Sequence, residues 1–222
     1  MTTELARKNL TTKLAGLKQA PSTKSFLQEL KAQERIDKVL LILLDTSGSM
    51  MDSMGNDRKI DVAWKIFQTQ LLPNMSGWSY GIIGFGDSAY WEMYPTGSTT
   101  ALALKSPIAS GLTAMGQALE LAWSWVKGHA KEARFILLSD GEPNDMSKEQ
   151  ILERVSQNRS IPIDVVGIGS PNGFSYDPNF LRQISTITGG MFSEADNIRL
   201  LADTIKKLSP VERRLLGKVQ EN

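Results

Sequence analysis

The chain has 222 residues, 41% of them hydrophobic and 22% charged, which is enough to bury one substantial core. With 25 Lys and Arg against 24 Asp and Glu, the formal net charge of +1 offers no general positive surface to a phosphate backbone, so nucleic acid is not an expected partner. There is no cysteine and a single histidine, His129, which removes disulfides, zinc ribbons, iron–sulfur clusters, thiol nucleophiles and His-rich metal sites and leaves chemistry built on oxygen.

In chain order, residues 1–35 come first: seven Lys or Arg and three Glu, in two helical pieces divided by Pro21. Narrow apolar stripes at Leu10, Leu14 and Leu17 and at Phe26, Leu27 and Leu30 suit either packing on the rest of the chain or a partner-binding amphipathic arm. The first 20 residues are basic and lack a continuous apolar stretch, and no run approaches a membrane span, so neither a secretory signal nor a span is expected and a cytoplasmic location is. Residues 36–208 then alternate short apolar runs with helically spaced segments. This is the pattern of an α/β fold, doubly wound and Rossmann-like, with a mainly parallel sheet and helices on both faces. The strand Lys38–Leu44 is apolar without alternation, as a strand buried on both faces should be. A helix from Lys59 to Leu71 puts Ile60, Ala63, Trp64, Phe67 and Leu71 on one face and closes before Pro73 and Gly77. Tyr80–Phe85 and Ala89–Tyr94, joined by Gly86-Asp87-Ser88, predict a hairpin and one antiparallel edge strand. Next are a helix over Met115–Lys127, a third buried strand over Arg134–Ser139, a helix over Ser147–Asn158 and a strand over Ile163–Ile168. A helix over Pro178–Ile187, a short strand at Met191-Phe192 and a helix over Asn197–Leu208 complete the series, and 209–222 form a tail. Trp64, Trp78, Trp91, Trp123 and Trp125 read as core or face-covering residues, with Trp78 and Trp91 near loops.

In open sheets of this kind ligands bind beyond the carboxyl ends of the strands. The first strand ends in Asp45-Thr-Ser-Gly-Ser-Met50, the third buried strand in Ser139-Asp140-Gly141-Glu-Pro-Asn144, and Ser110-Gly-Leu-Thr-Ala-Met-Gly116 puts Thr113 just ahead of a helix N-terminus. Asp45 and Asp140 supply carboxylates to one rim, and Ser47, Ser49 and Thr113 supply hydroxyls. All five are hard donors, which suit Mg²⁺ or Mn²⁺ and, less well, Ca²⁺. An ion held by neutral hydroxyls would keep much of its charge and attract an outside carboxylate, and the positive end of the helix after Thr113 would add to that pull.

The Asp-x-Ser-x-Ser of Asp45, Ser47 and Ser49, the distant Thr113 and the Asp-Gly of Asp140-Gly141 resemble the metal-ion-dependent adhesion site of von Willebrand factor A (VWA) domains. The likeness extends over about residues 37–208 and includes Gly84-Phe-Gly-Asp87 and Thr188-Gly-Gly-Met-Phe192. It implies a six-stranded sheet in the order 3-2-1-4-5-6 with strand 3 antiparallel. It also implies a metal held by the Ser and Thr hydroxyls, with the two Asp acting directly or through water. A Glu or Asp of a partner protein would complete the shell. Gly48, Met50 and Glu142, beside these ligands, are the candidate partner contacts, although Glu142 also suits a solvated loop charge. Thr113–Leu119 and Ser139–Asn144 are similar to intracellular bacterial members, including those of tellurite-resistance clusters, and such relatives often work beside AAA+ ATPases or in assembly and stress complexes. The loop Met51–Lys59 is longer and more polar than a minimal member needs; Asp52 and Asp57 in it would shift the preference towards Mn²⁺ or Ca²⁺, or are solvated.

A binding module without catalysis is the leading expectation. A metal-dependent phosphoesterase using the same groups is the alternative, and a structural subunit with an empty site a third. Ser47 stands where a phosphoaspartate enzyme would have its second Asp, no Gly-x-x-x-x-Gly-Lys loop is present, and His129 falls at the far end of its neighbouring strand from the rim.

Overall fold

Alternate side chains of the strand Ile36–Asp45 (β1) feed two separate cores, which is why its sequence shows no polar alternation. The computed structural model describes residues 35–74, 77–96, 105–169 and 176–208. The basic arm, apart from Arg35, and the tail from 209 onward lie outside the described residues. Leu40, Ile42 and Leu44 join one apolar cluster with Ile60, Ala63, Trp64 and Phe67 and with Leu201 and Ile205. Val39, Leu41 and Leu43 join the other, with Met115, Leu119 and Trp123, with Ile151 and Val155, and with Phe180, Leu181 and Ile184.

The remaining strands are β2 (Ser79–Phe85), β3 (Ala89–Thr96), β4 (Ala130–Ser139), β5 (Ile163–Ile168) and β6 (Phe192–Ala195), in the spatial order β3-β2-β1-β4-β5-β6. β3 runs antiparallel to β2 and the other pairings are parallel. The order and the antiparallel edge are those the sequence resemblance implies. α1 (Lys59–Ile66) and α5 (Ile198–Lys207) contribute to the first cluster; α2 (Met115–His129), α3 (Lys148–Gln157) and α4 (Pro178–Thr188) contribute to the second. Helix starts are capped as their sequences allow: Ser147 and Gln150 form a reciprocal capping box on α3, Asp177 with Pro178 opens α4, and Asn197 opens α5.

Two details differ from the sequence reading. The first helix is not uniform: after Ile66 it passes into a π-helical turn over Phe67–Leu71 and a 3-10 turn over Leu72–Asn74, and Thr69 Oγ1 donates to Lys65 O at 2.8 Å inside that stretch. The last strand runs to Ala195 instead of stopping at Phe192, because Val165–Ile168 of β5 offers it four consecutive partners. Trp91 of β3 stacks on Tyr94 and meets Trp125 of α2 edge-on at 5.7 Å, while His129 lies parallel to Trp125 with Nδ1 2.7 Å from the Trp125 carbonyl. The single histidine therefore finishes a helix at the amino end of β4. Within the sheet, Arg134 on β4 binds Asp164 on β5 through Nε and Nη2 at 2.6 and 2.9 Å, and Asp164 also accepts from Met191 N–H at 2.8 Å, which ties β4, β5 and the approach to β6 together.

Candidate metal centre

Parallel register brings the two carboxylates together. Leu44 pairs with Leu138, so Ser139 comes level with Asp45 and Asp140 falls one residue beyond the strand end. Ser139 Oγ donates to Asp45 Oδ2 at 2.6 Å and Ser47 N–H donates to Asp45 Oδ1 at 2.8 Å, so both oxygens of this fully buried carboxylate are held by the protein. Burial raises the Asp45 carboxyl from its ordinary 3.8 to about 6; the hydrogen bonds from Ser139 and Ser47 work against that rise and the charge of Asp140 adds to it. Asp140, also fully buried, accepts from Ser49 Oγ at 2.7 Å, and Ser49 Oγ lies 3.1 Å from Ser47 Oγ.

Thr113 arrives from a third loop held by backbone hydrogen bonds. Ser110 N–H donates to Thr46 O at 2.8 Å, Gly48 N–H to Gly111 O at 3.1 Å, and Ala114 N–H to Gly86 O at 2.8 Å. Asp87 accepts from Leu112 N–H at 2.9 Å. Gly111 has φ +77°, and a Cβ there would stand 2.3 Å from Asp87 Oδ1, so both the backbone conformation and the Asp87 contact require glycine. Asn144 closes the clamp: its Oδ1 accepts from Thr113 N–H and its N–H donates to Thr113 O, each at 3.0 Å.

Gly141 reports the convergence directly. A methyl group added there would stand 3.2 Å from Thr113 Oγ1 and 3.9 Å from both Asp45 Oδ2 and Ser49 Oγ, so oxygens from the Asp45–Met50 turn and the Thr113 loop face one small space beside the third loop. The 2.7 and 3.1 Å oxygen–oxygen spacings bracket the edge of about 3 Å expected of an octahedron with metal–oxygen bonds of about 2.1 Å. Among the described residues no three His, Cys, Asp or Glu gather into a metal-holding group, so an ion here depends on the Ser47, Ser49 and Thr113 hydroxyls. The donor set thus fits a small hard cation with water in part of its shell.

Of the candidate contacts around the five donors, Gly48 is exposed, and Glu142 is exposed and paired with Lys148 Nζ at 2.9 Å. Met50 corrects the sequence reading: it is 0% exposed and packs with Leu44 and Ile60, because the 3-10 turn Gly48–Met51 folds its side chain inward. Met51 is the exposed one, at 40%. The helix-end contribution is also smaller than the sequence suggested. Asp145 accepts from Gly116 N–H and Gln117 N–H at 3.2 and 2.8 Å, and its carboxylate answers the positive end of α2.

The sequence reading missed Lys59. Its Nζ lies 2.6 Å from Asp140 Oδ2, with the lysine side chain only 10% exposed. A signal was available, since Lys59 stands three, four and seven residues before Val62, Ala63 and Ile66, all buried, and a cation in line with a buried stripe needs a partner. Asp52, 70% exposed, sits 3.6 Å from the same Nζ, and Asp57 is exposed in the two-residue ladder of Ser53–Met54 with Asp57–Arg58. A cavity of about 720 Å³ opens between Lys38, Trp78, Arg134 and Pro162 at the other end of the strands, and none of the five donors lines it.

Residues 40–142 match the family model described as the von Willebrand factor type A domain. No curated protein matches the chain. Among solved structures, the conserved hypothetical protein BatB from Bacteroides thetaiotaomicron is 19% identical, with TM-score 0.62 over 82% of this chain and 99% of that one. The ArnB paralog VWA2 from Sulfolobus acidocaldarius is also 19% identical, with TM-score 0.63 over 79% of this chain but only 45% of that one. The PilB minor pilin from Streptococcus sanguinis is 14% identical, with TM-score 0.61 over 82% of this chain and 62% of that one. At these identities the likeness establishes the fold. The chain carries a von Willebrand factor type A domain match over residues 40–142, on a six-stranded α/β fold of the VWA type.

Proposed function

We propose that this chain is a metal-dependent protein-interaction module that binds a Glu or Asp side chain of a partner at the carboxyl ends of β1 and β4. The observation that carries the reading is the meeting of hard oxygen donors from three loops: Thr113, Asp45 and Ser49 face the space beside Gly141, and Ser49 is hydrogen-bonded to Asp140 and within hydrogen-bond distance of Ser47. Ser47, Ser49 and Thr113 would hold Mg²⁺ or Mn²⁺, with Asp45 and Asp140 orienting water or binding directly. The ion would supply a Lewis-acidic position for an outside carboxylate. Asp45 already spends both oxygens on Ser47 and Ser139, which favours action through water. Ile108 and Leu112, 85% and 59% exposed on the loop that carries Thr113, together with Met51, give the donors an apolar surround of the kind protein partners cover. No helix among the described residues is long and apolar enough to cross a membrane. A cytoplasmic setting and a place beside an ATPase or in a stress-related assembly belong to the proposal on the strength of the sequence resemblance.

The reading is tested by calorimetric titration of Mg²⁺ and Mn²⁺ into chelator-stripped protein, followed by partner capture with Mg²⁺ or EDTA. Binding lost in Asp45→Ala, and a partner retained only with the ion, are the expected results. Absence of ion binding, or an identical set of retained proteins under both conditions, overturns it. Phosphoester turnover abolished by Asp45→Ala would point to the hydrolase alternative.

A further inference from the structure

Lys59 follows the loop that leaves the Ser47–Ser49 cluster. Its backbone N–H donates to Asp52 O at 2.9 Å, which closes the loop into the short ladder and fixes the start of α1. From there Nζ reaches Asp140 Oδ2 at 2.6 Å and stands 3.5 Å from the Ser49 carbonyl and 3.6 Å from Asp52 Oδ2. An ammonium group and a hard divalent ion seek the same partners, carboxylate and neutral oxygen. Lys59 has taken one oxygen of Asp140, while Ser49 Oγ donates to the other. Two cations on one buried carboxylate repel each other, so an ion drawing on Asp140 competes with Nζ in its present position.

We infer that Lys59 is a tethered counter-cation of the site: it neutralises Asp140 in the metal-free protein and yields that carboxylate when a divalent ion binds, so it sets the affinity threshold for loading. The inference rests on the metal-dependent reading above. Asp52 gives the exchange a second anchor. It is exposed and already 3.6 Å from Nζ, so a small swing away from Asp140 leaves the ammonium paired. The polar loop of residues 51–58 thereby acquires a role in governing the cation without ligating it.

The test is calorimetric titration of Mg²⁺ and Mn²⁺ into the EDTA-stripped full chain as wild type, Lys59→Met, Lys59→Gln and Asp52→Asn, with circular dichroism confirming the fold. Removing the ammonium should tighten ion binding about tenfold or more, because no competing charge has to leave. Asp52→Asn should weaken it about threefold, the released ammonium losing its anchor. In EDTA, Lys59→Met should melt below wild type and show the larger upward shift on adding Mg²⁺. Lys59→Gln serves as the second neutral variant if Lys59→Met does not fold. A wild type that binds ions, alongside neutral variants of equal or weaker affinity, overturns the exchange and leaves the metal reading intact. Ion binding by none of the variants overturns both. Binding only after Lys59 is neutralised overturns both the metal reading of the native chain and the exchange, since Lys59 then never yields Asp140 to an ion.

Discussion

Removing both partners of the Lys59–Asp140 pair should cost less than the two single removals added together, because each single change leaves one charge buried without its partner. At 2.6 Å the Coulomb attraction is about 6 kcal/mol at an effective dielectric of 20, and the cost of burying two charges offsets much of it. Asp140→Asn leaves a lysine with a side chain 10% exposed facing an amide, and Lys59→Met leaves a buried carboxylate with Ser49 Oγ as its remaining side-chain donor. Each single change should destabilise the metal-free protein by about 3 kcal/mol, the low end for a broken buried pair, because Lys59 can turn to Asp52. For a domain of this size that lowers the melting temperature by about 6–12 °C. The Asp140→Asn, Lys59→Met double variant should lose less than the sum of the two, with a coupling of about 2 kcal/mol or more. Thermal unfolding followed by far-ultraviolet circular dichroism in EDTA, with urea titrations for the free energies, measures the cycle. Additive losses, or single variants within about 2 °C of wild type, would refute the view that these charges depend on each other.

Asp45 supplies a pH dependence of opposite sign to the usual paired carboxylate. Its folded value, about 6, lies above the ordinary 3.8, so the folded state takes up the proton first and this group's contribution to stability rises as pH falls through 6 and is complete below 3.8. In EDTA, wild type should gain about 1.4 kcal/mol on Asp45→Asn between pH 7.5 and pH 5, and a constant gap in urea titrations would count against it. Gly141→Ala should reduce Mg²⁺ affinity about tenfold or more while shifting stability by less than about 1 kcal/mol, since the methyl enters the oxygen cradle but only Thr113 has to give way; unchanged affinity in calorimetry would show that the ion sits elsewhere. Gly190→Ala should cost more than about 3 kcal/mol, because a Cβ there would fall 1.9 Å from the Ile163 carbonyl oxygen and neither backbone can yield without parting β5 from the chain entering β6; a melting temperature near wild type refutes this.

The fold was legible in the sequence because its signals are local. An unbroken apolar run as short as Val39–Leu44 is what a strand buried on both faces requires, and helices carrying apolar residues three and four apart can cover it. The five candidate ligands were legible as candidates for the same reason, since they lie at the end of β1, on the turns that follow β1 and β4, or just ahead of a helix, and parallel topology gathers such ends on one rim. Tertiary structure decided the rest. Whether Met50 or Met51 faces outward depends on a 3-10 turn whose direction is set by packing against Leu44 and Ile60. That Asp145 caps α2 depends on two loops meeting about thirty residues apart in the chain. Lys59 lies 81 residues from Asp140, and a charge pair of that separation leaves no periodicity to read; only the folded backbone, by closing Asp52 on Lys59, brings the ammonium to the carboxylate.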